Sequence, residues 1–127
     1  MKKTILALVA SSVLALASET TINATMSLMT QGMNQIQAGF LYSNKKDIAD
    51  GIEVLEKANA IFANVDVALF IKHNNKIQVT HNINSNLDKN IKGLKKAIAA
   101  ENYTDATREY GELTSNCIAC HKIVRGW

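Results

Sequence analysis

The chain is predicted to be all-α, an antiparallel up-down-up-down four-helix bundle, on three observations. Its 127 residues contain no proline, and the six glycines are scattered rather than clustered, so nothing forces an early helix break. No segment sustains the period-two alternation of a half-buried strand. Four segments instead carry apolar residues at helical spacing, and the first two and the last two are separated by short polar breaks that make neighbours antiparallel.

Taken in order, the amino terminus is not part of the bundle. Met1-Lys2-Lys3 is a short basic start, Ile5 to Leu16 is an apolar run too short to span a bilayer comfortably, and Ala15-Leu16-Ala17 gives a small-x-small cleavage pattern. Residues 1–17 are therefore expected to be a secretory signal peptide, and residues 18–127 one small domain with no stable membrane insertion after cleavage. The first helix starts near Thr20 or Thr21 and carries Ile22, Met26, Met29, Met33, Ile36 and Phe40 at steps of 4, 3, 4, 3 and 4. Ser43-Asn44 ends it. The second, between about Lys45 and Asn64, sets Ile48, Ile52, Leu55 and Phe62 on one face. A long connection is expected over about Val65 to Ile83, around Asn74-Asn75. The third helix, about Asn84 to Ala100, turns Leu87, Ile91, Leu94 and Ile98 inward. Glu101-Asn102 breaks the chain again, with Thr104 as a candidate N-cap. The fourth helix carries Tyr103, Ala106, Tyr110, Leu113, Cys117, Cys120 and Val124 at alternating steps of three and four.

That last stripe contains the chemistry. Cys117-Ile118-Ala119-Cys120-His121 has the C-x-x-C-H spacing of covalent haem attachment. On a helix, residues at i, i+3 and i+4 share a face. Cys117 and Cys120 can then form thioethers with one porphyrin while His121 takes the proximal side of the iron. Other uses of the pair fit less well. A thioredoxin-like motif usually follows a strand, and none precedes Cys117. A zinc site would need two more ligands, for which His73 and His81 are available at a spacing no common zinc pattern uses. A disulfide three residues along one helix is geometrically poor. Export agrees with haem, because bacteria attach it outside the cytoplasmic membrane, and the two cysteines are the only two.

In such a bundle the start of the first helix, the long connection and the end of the fourth helix gather at one end. His121 and Met26 lie at similar depth from that end, roughly 6–9 Å at 1.5 Å per residue, with Met29 a turn deeper and Met33 two turns deeper. Met26 is therefore the candidate distal ligand. His73 and His81 are its rivals from the connection, and an open or water-filled position is the third option.

The arrangement is similar to the class II cytochromes c, which include the cytochromes c prime and their low-spin relatives: one haem, four helices, and C-x-x-C-H on the last of them. The resemblance runs over the whole mature domain and is most specific from Cys117 to Arg125. Arg125 falls on the basic position that commonly follows the family's haem histidine. Ala24-Thr25-Met26-Ser27-Leu28-Met29 matches the distal-pocket segment, where cytochromes c prime usually have leucine and low-spin members a ligating methionine; Met26 falls there. The chain departs from the family at Ile22-Asn23, where Arg-Gln is frequent, and in lacking the proline of the connection. The resemblance implies one covalent haem c, no enzymatic turnover, and one-electron transfer between periplasmic redox proteins. Its alternative is a five-coordinate haem that captures nitric oxide or carbon monoxide.

Charge adds little. The formal net charge of +3 loses Lys2 and Lys3 with the leader, and two propionates would take the loaded domain slightly negative. Without a basic stripe, nucleic acid is an unsupported partner. No charged residue occurs from Thr20 through Asn44. That uncharged helix is either covered by polar amides with Leu28 half-exposed, or a packing surface, as in family members that form homodimers through the first two helices.

Overall fold

The computed structural model describes residues 2–69, 71 and 74–126, with side chains described from Glu19 onward and not at Asn74. They form an all-α domain of four helices, α1 (Lys2–Leu41), α2 (Lys45–Ala63), α3 (Asn74–Ala99) and α4 (Tyr103–Arg125), with one 3-10 turn at Val67–Leu69. The helices pack in chain order, α1 on α2, α2 on α3 and α3 on α4, as in an up-down bundle.

Two turns of one design reverse the chain. After α1, the Asn44 N–H donates to Gly39 O at 2.8 Å and Ser43 N–H to Phe40 O at 3.4 Å, with Ser43 left-handed at φ 54°. After α3, the Asn102 N–H donates to Ala97 O at 2.9 Å and Glu101 N–H to Ile98 O at 3.1 Å, with Glu101 at φ 56°. Both are Schellman closures that satisfy the last carbonyls of a helix. In each, the asparagine that completes the closure also caps the next helix. Asn44 Oδ1 accepts from the N–H groups of Lys46 and Asp47, and Asn102 Oδ1 from that of Asp105. Asn102, not Thr104, is therefore the cap of α4. Lys45 Nζ reaches Glu101 Oε1 at 2.8 Å, so the two turns sit together at one end.

At the other end Lys76 Nζ donates to Ile123 O at 3.3 Å, joining the start of α3 to the end of α4. The long connection expected over Val65 to Ile83 is a correction: α3 begins at Asn74, and His81 lies on it, exposed, rather than in a loop. His73 lies outside the described residues. Nor is there a helix start at Thr20, because α1 runs from Lys2 to Leu41 without a break.

The core is built from the expected faces. Ile48, Ile52, Leu55 and Phe62 of α2 and Leu87, Ile91, Leu94 and Ile98 of α3 are all buried. At the ends of the α4 stripe the expectation fails: Tyr103 is 48% and Val124 40% exposed, and Ile123 packs on the core instead. Amide pairs cross between helices, Asn84 Nδ2 to Asn59 Oδ1 at 2.7 Å and Asn116 Nδ2 to Asn90 Oδ1 at 3.0 Å. Among the described residues no buried side-chain nitrogen or oxygen lacks a partner, so these pairs fix register without leaving an unmet donor. Glycines let α1 and α2 approach closely. A Cβ on Gly51 would stand 2.8 Å from Gly32 O and 2.8 Å from Ile36 N.

Candidate haem-binding cleft

Sequential packing leaves one seam unfilled. α1 and α4 face each other without close packing, and between them lies a cleft of about 280 Å³. Phe40 and Tyr110 bridge the seam on its turn side, with ring centroids 5.6 Å apart at 57°. From there toward the open end, α1 presents Met26, Met29, Thr30, Met33 and Asn34, and α4 presents Tyr110, Thr114, Cys117, Ile118, Cys120 and His121. Phe62 of α2 and Leu87 of α3 complete the lining, and both belong to the hydrophobic core.

The structure therefore brings together Cys117, Cys120, His121 and Met26, which the sequence singled out. All four are half-buried. Antiparallel register follows from the Phe40–Tyr110 contact. Counting back from Phe40 and forward from Tyr110, Met29 and His121 are reached in the same number of residues, so the Met26–Met29 turn is level with the turn that His121 begins. The three α1 methionines differ in exposure: Met29 is 7% exposed and belongs to the core, whereas Met26 and Met33 are half-buried against it. Arg125 stands apart. It is exposed at the last position of α4, next to the left-handed Gly126 (φ 74°), and outside the cleft lining. His81 is likewise outside it.

Thr30, Asn34 and Thr114 line the cleft but were not singled out by the sequence. Tyr110, Thr114, Cys117 and His121 are spaced i, i+4, i+7 and i+11, one stripe of α4 that faces the cleft beside the stripe that enters the core. Met26, Thr30 and Met33 repeat the spacing on α1. The hydroxyls do not break the apolar character of the wall, because Thr30 Oγ1 donates to Met26 O at 2.9 Å and Thr114 Oγ1 to Tyr110 O at 3.1 Å.

The electrostatics limit what the cysteines can do. Both are free. Burial pushes the Cys117 thiol up, helped by the neighbouring Cys120 sulfur, and burial alone pushes Cys120 up. They sit deep in α4, far from the helix N-terminus that depresses redox-active thiols. Among the described residues no three His, Cys, Asp or Glu side chains converge on a metal site. Two neutral thiols and an imidazole on one wall of an apolar cleft, facing thioethers, fit a planar haem better than a zinc ion or a thiol–disulfide couple. A prediction follows for the haem-free chain. With native pKa values raised above those of the unfolded thiols, stability should be complete below the ordinary thiol pKa of about 8.5 and fall as pH rises beyond it. Alkylation of both cysteines should be slower than for a model thiol at pH 8, as followed by mass. Attached thioethers do not titrate, so the haem-loaded protein should lose this alkaline sensitivity.

Comparison with protein-family models, curated proteins and solved structures gave no significant match.

Proposed function

We propose that the chain is an exported, periplasmic one-electron carrier that holds one haem c, built like the low-spin class II cytochromes c. The observation that carries this reading is the meeting of Cys117, Cys120 and His121 with Met26 across the cleft between α1 and α4. Cys117 and Cys120 would hold the porphyrin through thioethers, His121 would serve as proximal ligand and Met26 as distal ligand. The bound group supplies a ferric–ferrous couple. The chain's own contribution is to position these donors on rigid helices and to line the cleft with Phe62, Leu87 and Met29, which keep water away. A Met26 thioether on the iron would favour the ferrous state and raise the potential, and would leave no vacancy there for a substrate. The protein then acts by passing electrons between periplasmic redox proteins, not by turnover.

Expression of the full chain in a host that exports it and attaches haem tests this. The purified protein should be coloured, carry the mass of one haem, and keep its colour through acid–organic extraction of the denatured chain. A colourless protein with two titratable thiols would overturn it.

A further inference from the structure

Resting on that carrier reading, we infer that the open end of the bundle beside His121 is a docking face for an acidic redox protein. Lys45, Lys46, Lys57, Lys92, Lys95 and Arg108 each pair with a carboxylate. Among the described residues, Lys76, Lys89, Lys96, Lys122 and Arg125 make no ion pair; Lys89 and Lys96 lie farther along α3, whereas Lys76, Lys122 and Arg125 come together where α4 ends. Ile118, Lys122 and Arg125 are spaced i, i+4 and i+7, one stripe on α4. Lys122 and Arg125 are exposed, and Ile118, 45% exposed, lines the cleft. An apolar contact at the cleft edge is thus continuous with two unpaired cations.

Helix dipoles explain part of this, because cations are favoured in the last turn of a helix. They do not explain Lys76, which lies in the first turn of α3, where a cation is disfavoured. Its ammonium instead reaches across to the Ile123 carbonyl of α4 and adds a third positive charge at the same end. The acidic residues toward this end are sparse. Asp66 Oδ1 accepts from the Ala68 N–H, Glu19 is exposed on α1, and Glu112 is ten residues back from Lys122, on the order of 15 Å along the helix. A local positive field beside the redox site on a nearly neutral domain steers an anionic partner and orients it there.

The test uses the haem-loaded, reduced protein and measures its oxidation by hexacyanoferrate(III) against ionic strength. The wild-type rate should fall as salt rises. Lys122→Glu with Arg125→Glu should slow it by about tenfold at low salt, as the loss of steering predicts, and reverse the salt dependence. Lys89→Glu with Lys96→Glu, an equal charge change elsewhere on α3, should alter it by less than about twofold. Polyglutamate should slow the wild type and not the Lys122/Arg125 variant. The neutral pair Lys122→Gln with Arg125→Gln gives an intermediate rate and covers the case in which glutamates at a helix C-terminus fray it. Equal effects from both charge-reversed pairs would overturn the docking face. So would a shifted reduction potential with unchanged salt dependence, which would place these cations on the propionates. Tighter binding to phosphatidylglycerol vesicles than to polyglutamate would assign the surface to a membrane instead. A colourless protein fails the carrier reading itself, before any of these rates can be measured.

Discussion

Gly51→Val should cost the domain about 3 kcal/mol, toward the upper end of what overpacking does, although glycine inside a helix is ordinarily a weakness. The reason is the α1–α2 crossing. A Cβ at Gly51 would meet Gly32 O and Ile36 N, both backbone atoms, at 2.8 Å, and the Ile36 side chain at the same distance; a Cβ at Gly32 would meet Gly51 O at 2.9 Å. Backbone cannot rotate aside, so the helices must separate, and Ile36 and Leu55, 0% and 2% exposed, lose contact with their neighbours. Gly111 is the control. Nothing lies within 4 Å of a Cβ built there, so Gly111→Ala should stabilise by about 0.5–1 kcal/mol through helix propensity alone. Gly51→Ala should go the other way. Urea unfolding of the single variants and of the Gly32→Ala/Gly51→Ala pair should show the second substitution costing less than the first, because the first has already parted the helices.

The crossing was not legible as such. A glycine in a helical segment gives no sign of whether it is exposed, as Gly111 is, or pressed against a neighbouring helix. The turns escaped for a related reason: Ser43 and Glu101 hold positive φ without being glycine, so their reversals lack the usual marker. The faces of α2 and α3 were legible because steps of three and four leave only one side apolar. The first turns of α3, before Asn84, were not, because Asn74, Asn75 and Asn82 look like a loop by propensity. The hidden signal was Ile77, Thr80, Ile83 and Leu87, in which Thr80 is 1% exposed and donates to Lys76 O, so its hydroxyl can be buried without an orphaned donor. For the site, the sequence supplied Cys117, Cys120, His121 and Met26. What it could not supply was the seam, because an apolar stripe has the same period whether it enters a core or lines a cleft.

Met26→Ala should turn a low-spin haem spectrum into a high-spin one and let carbon monoxide bind readily, with the covalent attachment intact. Three methionines line the α1 wall, so the comparison among them matters. Met33 is a turn nearer the Phe40–Tyr110 bridge than the level of His121, and its loss should leave the spin state alone. Met29 is level with His121, but its side chain is 7% exposed and packs in the core. Met29→Ala should therefore cost about 2–5 kcal/mol by opening a cavity while the visible spectrum stays low-spin. Met26 lies one turn toward the open end from that level, and it combines a half-buried position on the cleft wall with the flexible thioether that a distal ligand needs. His81→Ala should change nothing, since His81 is exposed on α3 and outside the cleft, and His73→Ala should behave the same way. Optical and magnetic spectra of the untouched protein in both oxidation states supply the reference. If they are already high-spin at neutral pH, Met26 only lines the pocket, the sixth position is open, and the chain captures diatomic gas instead of carrying electrons. If a histidine variant alone changes spin state, ligation comes from outside the α1 wall, and the potential should be lower than a His–Met site would give.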